Sequence, residues 1–286
     1  TKSVRKLAAI VFTDIANYSE LAGQDEDAAL ALLARQRACL RPLVDEHGGN
    51  WVKEFGDGLL LSFPNSIEAM QCVERMLEST RSVQGLNLRI GVHQAGVVHE
   101  NGDLLGNGVN IANRLEQLSP VGGAAFSEAV EREIHSQGGF DYVSLGTQQL
   151  KGIEGRHEVY CLRNGLPNIP NFDLVRRIGS GAYGEVWLAR TLTGAYRAVK
   201  IVHKSTFEKD RPFEREFEGV RQYADITGEH ESLIKLFHVG QDDRGEFFYY
   251  EMELADGRDG SLGVLVVPQM NPIMVAGVHR VFRQHL

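Results

Sequence analysis

Two aspartates stand at points where apolar segments end. Asp14 closes the apolar run of residues 5–14, and Asp57 lies between two glycines in a tight turn that joins two short apolar segments. A carboxylate at the end of a buried strand costs free energy unless it is paired or binds a cation. Two carboxylates at neighbouring strand ends supply the oxygen ligands that Mg²⁺ prefers and leave room for substrate phosphates. Each aspartate alone also fits a simpler role, Asp57 as a turn residue and Asp14 as a helix cap.

A second polar pair, Asn110 and Arg114, follows the glycine-containing residues 106–109. Residues four apart in a helix lie on the same face, one turn from each other. An Asn–Arg pair at this spacing is common on a solvated helix face. Its meaning therefore depends on the segments that surround it.

The hydrophobic pattern predicts the elements that must position these residues. Strands are expected at about residues 5–14, 50–55, 59–63 and 87–98, and helices at about 25–46 and 65–82. Residues 106–119 are expected to be a loop that leads into a third helix, and residues 123–163 to form shorter strands and a helix. This alternation indicates an α/β fold in which helices pack on a sheet, an α+β sandwich.

Four segments in this order resemble the class III nucleotidyl cyclases. They are residues 10–21 (IVFTDIANYSEL), 51–63 (WVKEFGDGLLLSF), 88–93 (LRIGVH) and 102–119 (GDLLGNGVNIANRLEQLS). The resemblance covers about residues 5–163, and residues 150–162 are similar to the last β-hairpin of that family. It implies the ferredoxin-like cyclase fold and the formation of a cyclic nucleotide from a nucleoside triphosphate.

The resemblance also implies a metal site. Asp14 and Asp57 match the two aspartates that bind two metal ions, Mg²⁺ or Mn²⁺. Ile15 matches a third position of the same metal site. The backbone amides of residues 15–19 are expected to cradle the triphosphate at the start of a helix. In the implied reaction, the ribose 3′-oxygen attacks the α-phosphorus and pyrophosphate leaves.

The resemblance also implies which residues contact the base, the ribose and the phosphates of the substrate. Lys53 and Asp103 match the pair that reads adenine, with one donor and one acceptor, whereas guanylyl cyclases typically have Glu and Cys there. Asn110 matches the residue that orients the ribose, and Arg114 the one that stabilises the transition state, as an arginine finger does. Phosphate contacts are implied at two more basic residues, which are also compatible with plain surface charge: Arg89 and Lys151.

The family divides these residues between two subunits. The metal aspartates belong to one subunit, and the Lys, Asp, Asn and Arg belong to its partner. Because the chain has one copy of each motif, the resemblance implies a homodimer with two equivalent ATP sites and an inactive monomer.

A second segment follows the proline-containing linker at residues 164–171. Its glycine pattern and a downstream Ala-Val-Lys resemble the N-terminal lobe of a protein kinase, a small, mostly-β unit. The implied nucleotide-site residues are Gly179, Gly181, Gly184, Val186, Lys200 and Glu216. The predicted organisation is therefore a cyclase domain at 1–163, the linker, a kinase-like segment at 172–256 and an irregular tail at 257–286.

The kinase-like segment lacks the sequences that phosphoryl transfer requires. No HRD and no DFG occurs in the chain, although both aspartates are needed for catalysis by a kinase. We therefore expect no kinase activity. Two alternatives to an active cyclase stay open: a module that only dimerises, and the N-terminal part of a longer cyclase–kinase fusion.

Composition excludes several other classes of protein. The 286 residues are 43% hydrophobic and 24% charged, as in a soluble globular protein. A net charge of −8 argues against nucleic acid as a partner. The sequence contains no run of about 18 apolar residues, so it predicts no membrane span. The three cysteines are isolated, which favours reduced thiols and a cytoplasmic location.

Overall fold

The computed structural model describes residues 5–100, 103–181, 184–207, 210–227 and 235–254. By their internal contacts, the residues form two compact units that divide between Pro167 and Asn168. This division falls inside the predicted linker. The predicted tail at 257–286 lies outside the described residues.

The first unit alternates strands and helices. Its strands are β1 (Lys6–Ile15), β2 (Asn50–Phe55), β3 (Gly58–Phe63), β4 (Leu88–Glu100), β5 (Asp103–Leu105), β6 (Gly123–Ser127), β7 (Tyr142–Gln148) and β8 (His157–Leu162). Its helices are α1 (Tyr18–Gln24), α2 (Glu26–Glu46), α3 (Ser66–Thr80), α4 (Asn107–Leu118) and α5 (Glu128–Gln137).

These strands form one sheet with the order β7-β8-β6-β4-β1-β3-β2, and β5 pairs with β4. All pairs are antiparallel except β4 with β6. Successive side chains of a strand point to opposite faces. Ala9 and Val11 of β1 therefore join α2, α3 and α5 in the larger core, whereas Ala8 and Ile10 face α4 in a smaller one.

Helix α4 corrects one expectation. The segment predicted to be a loop at residues 106–119 is helical from Asn107 to Leu118. Its first turn contains Gly and Asn, which are poor helix formers, but packing overrides that weak preference. A Cβ at Gly108 would collide with Ala95, and one at Gly91 would collide with the backbone of α4 at Ala112 and Glu116. The two glycines thus let α4 approach the sheet closely.

The second unit is an antiparallel sheet with one helix. Its elements are β9 (Phe172–Gly181), β10 (Gly184–Thr191), β11 (Tyr196–His203), α6 (Asp210–Thr227), β12 (Leu236–Gln241) and β13 (Phe247–Met252). The strand order is β12-β13-β11-β10-β9. Phe213 and Val220 of α6 pack with Phe248 and Val202 of the sheet in a separate core.

Within the described part of the chain, every helix is too short or too polar to cross a lipid bilayer.

Candidate active site

Sheet pairing brings Asp14 and Asp57 together. Asp14 is near the end of β1, one residue beyond the Thr13–Leu59 pair of β1 and β3. Asp57 is in the turn of the β2–β3 hairpin, next to Gly58. The backbone N–H of Ile15 donates to Asp57 Oδ2 at 3.1 Å, so Asp57 is attached directly to the end of β1.

Burial and the neighbouring Asp57 strongly perturb the carboxyl group of Asp14. Burial raises the pKa of Asp14 to about 7, and a hydrogen bond with Asp57, the Asp57 charge and the Glu116 charge add to the increase, against the opposing charge of Arg89. The protonated form of Asp14 is thereby favoured. A pair of carboxylates that resists double ionisation is a site where positive charge is favoured.

Gln36 fixes the turn that carries Asp57. This residue of α2 is only 1% exposed, and its Nε2 donates to the backbone oxygen of Asp57 at 2.9 Å. Asp57 is thus held through its backbone by α2 and through its side chain by Ile15. No local sequence pattern indicates this role, because Gln36 is 21 residues from the turn.

Glu116 of α4 is a third acidic group near the aspartates. It is 7% exposed; burial raises its pKa, the charge of Arg89 lowers it and the charge of Asp57 raises it. Arg89 stands opposite Asp14 in the β1–β4 register, and its buried Nε has no hydrogen-bond partner among the described residues. The predicted Arg89 is therefore at the aspartate pair, and Glu116 is a neighbour that sequence reasoning missed.

Lys53 and Asp103 form an ion pair. Lys53 Nζ lies 2.7 Å from Asp103 Oδ2, and the N–H of Leu104 donates to Asp103 Oδ1 at 2.9 Å. The hydrogen bond from Lys53, with that of Leu104, lowers the pKa of Asp103. The Lys53 ammonium also stands 5.0 Å from the centre of the Phe55 ring. Residues 50 positions apart in sequence are thus joined.

Arg114 lies on the side of α4 opposite Glu116, and Asn110 is one turn from Arg114. Glu116 is buried against the sheet, whereas Asn110 is exposed and Arg114 half-buried. Positions 114 and 116 lie on opposite sides of a helix. Arg114 Nε donates to the backbone oxygen of Lys151 at 2.9 Å, and Lys151 itself is exposed. One chain therefore does not bring Arg114 to the Asp14–Asp57 pair.

The first two backbone amides after Asp14 are engaged in hydrogen bonds. The N–H of Ala16 donates to the oxygen of Asn87 at 2.8 Å, and that of Ile15 is bound to Asp57. Asn17 adopts a left-handed conformation, with φ of 63°, before α1 begins at Tyr18. The amides of residues 15 and 16 are therefore not free to cradle a phosphate, contrary to expectation.

The candidate residues of the second unit lie on the β9–β10 hairpin, on β11 and on α6. The glycine pattern spans the β9–β10 hairpin, where Gly179 pairs with Val186 and Gly181 with Gly184. Lys200 of β11 pairs with Val186 of β10. Burial lowers the pKa of Lys200, and the charge of Glu216 opposes this shift, so α6 presents Glu216 toward Lys200.

Comparisons with known proteins agree with the fold of the first unit. The sequence model of the family described as the adenylate and guanylate cyclase catalytic domain matches residues 2–164. Putative adenylate cyclase 3 of Rhizobium meliloti (strain 1021) is 36% identical over 158 residues, which are 52% of this chain and 27% of that protein. The structure of an adenylate/guanylate cyclase/hydrolase from Silicibacter pomeroyi is 28% identical with a TM-score of 0.54, and the match covers 58% of this chain and 100% of that chain.

The chain belongs to the adenylate and guanylate cyclase family, and residues 2–164 are its catalytic domain. This confirms the resemblance and the mixed α/β cyclase fold expected from the sequence. The serine/threonine-protein kinase GRIK2 of Arabidopsis thaliana is 38% identical over 106 residues, which are 34% of this chain and 26% of that kinase. The chain thus covers about a quarter of the length of each of these two relatives.

Proposed function

We propose that the chain is an adenylyl cyclase, which converts ATP into 3′,5′-cyclic AMP and pyrophosphate as a homodimer. The observation that carries the proposal is the Lys53–Asp103 pair at 2.7 Å, in a cyclase domain that also carries the Asp14–Asp57 pair. The name of the Rhizobium meliloti relative, an adenylate cyclase, supports the choice of reaction.

The residues at the aspartate pair suit Mg²⁺ or Mn²⁺. Among the described residues, no group of three or more His, Cys, Asp or Glu side chains is arranged to hold a metal ion. Mg²⁺ does not need such a group, because it is typically bound by one or two carboxylates, with substrate phosphates and water as the other ligands. Asp14 and Asp57 would hold two such ions, with Ile15 as an adjacent backbone position. The bound ions would lower the pKa of the ribose 3′-hydroxyl and neutralise charge on the phosphates.

The chain's own residues would position and stabilise the substrate. Asn110 would hold the ribose so that its 3′-oxygen is in line with the α-phosphorus, which is a positioning effect. Arg114 would donate to the phosphoryl oxygens as negative charge accumulates on them. Arg89, with its buried Nε lacking a hydrogen-bond partner among the described residues, and Lys151 would contact the remaining phosphates.

Selection of adenine would follow from hydrogen-bond polarity. A ring nitrogen of adenine needs a donor and its exocyclic amine needs an acceptor, which Lys53 and Asp103 supply. In the free chain these two side chains satisfy each other. Adenine would accept a hydrogen bond from Lys53 and donate one to Asp103, both at the same edge of the base.

A homodimer would complete the site. In one chain, Arg114 is on the side of α4 opposite Glu116, the neighbour of the Asp14–Asp57 pair. A second copy is the simplest source of an Arg114 for each aspartate pair, and a two-fold arrangement gives two equivalent sites.

For the second unit, we propose a lobe similar to the N-terminal lobe of a protein kinase that transfers no phosphate. The proposal is supported by the likeness to GRIK2 and by the mutual effect of Lys200 and Glu216. The missing HRD and DFG sequences argue against catalysis.

The test of the main proposal is turnover by the purified chain. With MnCl₂ or MgCl₂, the chain should form cyclic AMP from ATP, and cyclic GMP from GTP much more slowly, as measured by chromatography. Asp57→Asn should abolish product, whereas Asp45→Asn, at an exposed position of α2, should not. A chain that forms no cyclic nucleotide, or that prefers GTP, would contradict the proposal.

A further inference from the structure

Arg114 of α4 is held by the connection between β7 and β8. Its Nε donates to the backbone oxygen of Lys151 at 2.9 Å, and its Nη1 donates to Gln117 Oε1 at 3.4 Å. A guanidinium carries five N–H donors in a rigid planar fork. These two contacts therefore fix the plane of the guanidinium and leave the other donors for an anion.

The backbone oxygen that accepts from Arg114 lies in the middle of a tight turn, residues 150–153. The N–H of Ile153 donates to the oxygen of Leu150 at 3.0 Å and closes the turn. Gly152, the third residue of the turn, has a φ of 75°, whereas Lys151, the second, has a negative φ. A hydrogen-bonded turn with a positive φ at its third residue alone is a type II turn.

The conformation of Gly152 decides where the Lys151 oxygen points. A type II turn has ψ of about 120° at its second residue and φ of about 80° at its third, whereas a type I turn has about −30° and about −90°. The change from one type to the other reverses the peptide unit between these residues, which carries the Lys151 oxygen. Because residues with a Cβ favour a negative φ, glycine at position 152 keeps this oxygen on the side of Arg114.

The two ends of the turn are anchored independently of its central peptide. Leu150 is 2% exposed and Ile153 is 8% exposed, and Gln149 Nε2 donates to the oxygen of Ile153 at 3.2 Å. A Cβ at Gly152 would meet no atom within 4 Å. A substitution at Gly152 would therefore act on the central peptide through φ and not through a collision.

We propose that Gly152 is a positioning residue for Arg114: it directs the Lys151 carbonyl so that this group holds the Arg114 guanidinium in the orientation that the transition state requires. The inference rests on the proposed function, in which Arg114 donates to the phosphoryl oxygens. A donor that is oriented before the reaction needs no rearrangement when negative charge develops. Gly152 acts through Arg114 and contacts no substrate.

The experiment measures kcat and KM for ATP in the purified chain and three variants. Gly152→Ala should lower kcat about tenfold with little change in KM, because it misplaces a group that acts in the transition state. Gly152→Asn should retain most of the wild-type kcat, since asparagine tolerates a positive φ. Gly155→Ala is the matched control: Gly155 lies in the same connection with a φ of 89° and open space at its Cβ position, and this variant should keep the wild-type kcat.

Placing the substitution in one subunit at a time separates the positioning of Arg114 from a general loss of stability. In a mixture of Asp57→Ala and Arg114→Ala chains, the intact site of each mixed dimer takes its Arg114 from the Asp57→Ala chain. Gly152→Ala added to that chain should lower the recovered rate about tenfold. The same substitution added to the Arg114→Ala chain should leave the recovered rate unchanged, because the turn of that chain serves no intact site.

The inference and the proposed function fail in different ways. A recovered rate that is the same for both placements of Gly152→Ala, or a Gly152→Ala chain whose kcat equals or exceeds that of the wild type, would overturn the inference and leave the proposed function intact. A wild-type chain that forms no cyclic nucleotide would overturn the proposed function, and the role of Gly152 with it.

Discussion

Replacing Asp14 with Asn should stabilise the metal-free chain while abolishing cyclisation. Burial and Asp57 raise the pKa of Asp14 from 3.8 to about 7, so the folded state disfavours the carboxylate that the unfolded chain carries at neutral pH. Asn has no charge and retains a donor toward Asp57, like the protonated carboxyl group. The substitution therefore removes a destabilising charge but also removes a metal ligand.

The size of the effect follows from the pKa. An increase of about three units corresponds to about 4 kcal/mol, at about 1.4 kcal/mol per unit. Asp14 is only half-buried, and solvent screening reduces this figure to about 2 kcal/mol. For a unit of this size, about 2 kcal/mol raises Tm by about 4–8 °C.

The pH dependence identifies the cause. Between pH 3.8 and about 7, the folded wild-type chain binds a proton at Asp14 that the unfolded chain has released, so its stability falls as pH rises through this interval. Asn does not titrate. The advantage of Asp14→Asn should therefore be full above pH 7 and less than half as large at pH 5.

The assay is thermal unfolding in EDTA at pH 5, 6, 7 and 8, followed by circular dichroism, with Asp45→Asn as a control at an exposed position. The control should shift Tm by less than about 1 °C, as is usual for a surface substitution. An Asp14→Asn variant that is less stable than wild type at pH 8, or whose advantage does not depend on pH, would refute the reasoning.

Three other predictions concern the base, the Asp57 turn and the second unit. Lys53→Glu combined with Asp103→Cys should lower kcat/KM for ATP by ten- to a hundredfold per position, since a mismatched buried polar group costs about 1–3 kcal/mol; retention of full ATP turnover would contradict the assignment. Gln36→Leu should lower Tm and raise the Mn²⁺ concentration for half-maximal turnover, because the backbone oxygen of Asp57 loses its donor; an unchanged metal titration would rule out this role. Lys200→Ala should leave cyclic AMP formation unchanged. Incubation with radiolabelled ATP should label neither the wild-type chain nor the Lys200→Ala variant; labelling of the wild-type chain that Lys200→Ala abolishes would reveal a kinase activity.

The periodicity of the sequence predicted most elements of the first unit closely. The strand expected at 5–14 is Lys6–Ile15 and the helix expected at 25–46 is Glu26–Glu46, because long, regular patterns of buried residues are strong signals. Residues 106–119, which contain the whole of α4, were predicted to be a loop that leads into a helix, and Gly108 and its asparagine neighbours do disfavour a helix. Close packing on β4 decides its structure, and no local pattern reports such packing.

The candidate site was predictable where its residues lie in motifs and not where they act across the fold. Asp14 and Asp57 could be found because each ends an apolar strand. Gln36 and Glu116 looked like ordinary helix residues, since only the tertiary structure brings them to the aspartates. The register shift between Trp51 and Lys53 in the β2–β3 pairing was also missed, because strand alternation over six residues does not reveal one extra residue.

Subunit complementation tests the central claim, a shared cyclase site in a homodimer, most directly. Asp57→Ala and Arg114→Ala should each be inactive alone, because each homodimer lacks one half of both sites. After the two variants are mixed and allowed to exchange subunits, about half of the dimers are mixed and each has one intact site, so about a quarter of the wild-type rate of cyclic AMP formation should return. No recovery, with subunit exchange demonstrated by a tagged chain, would contradict the account.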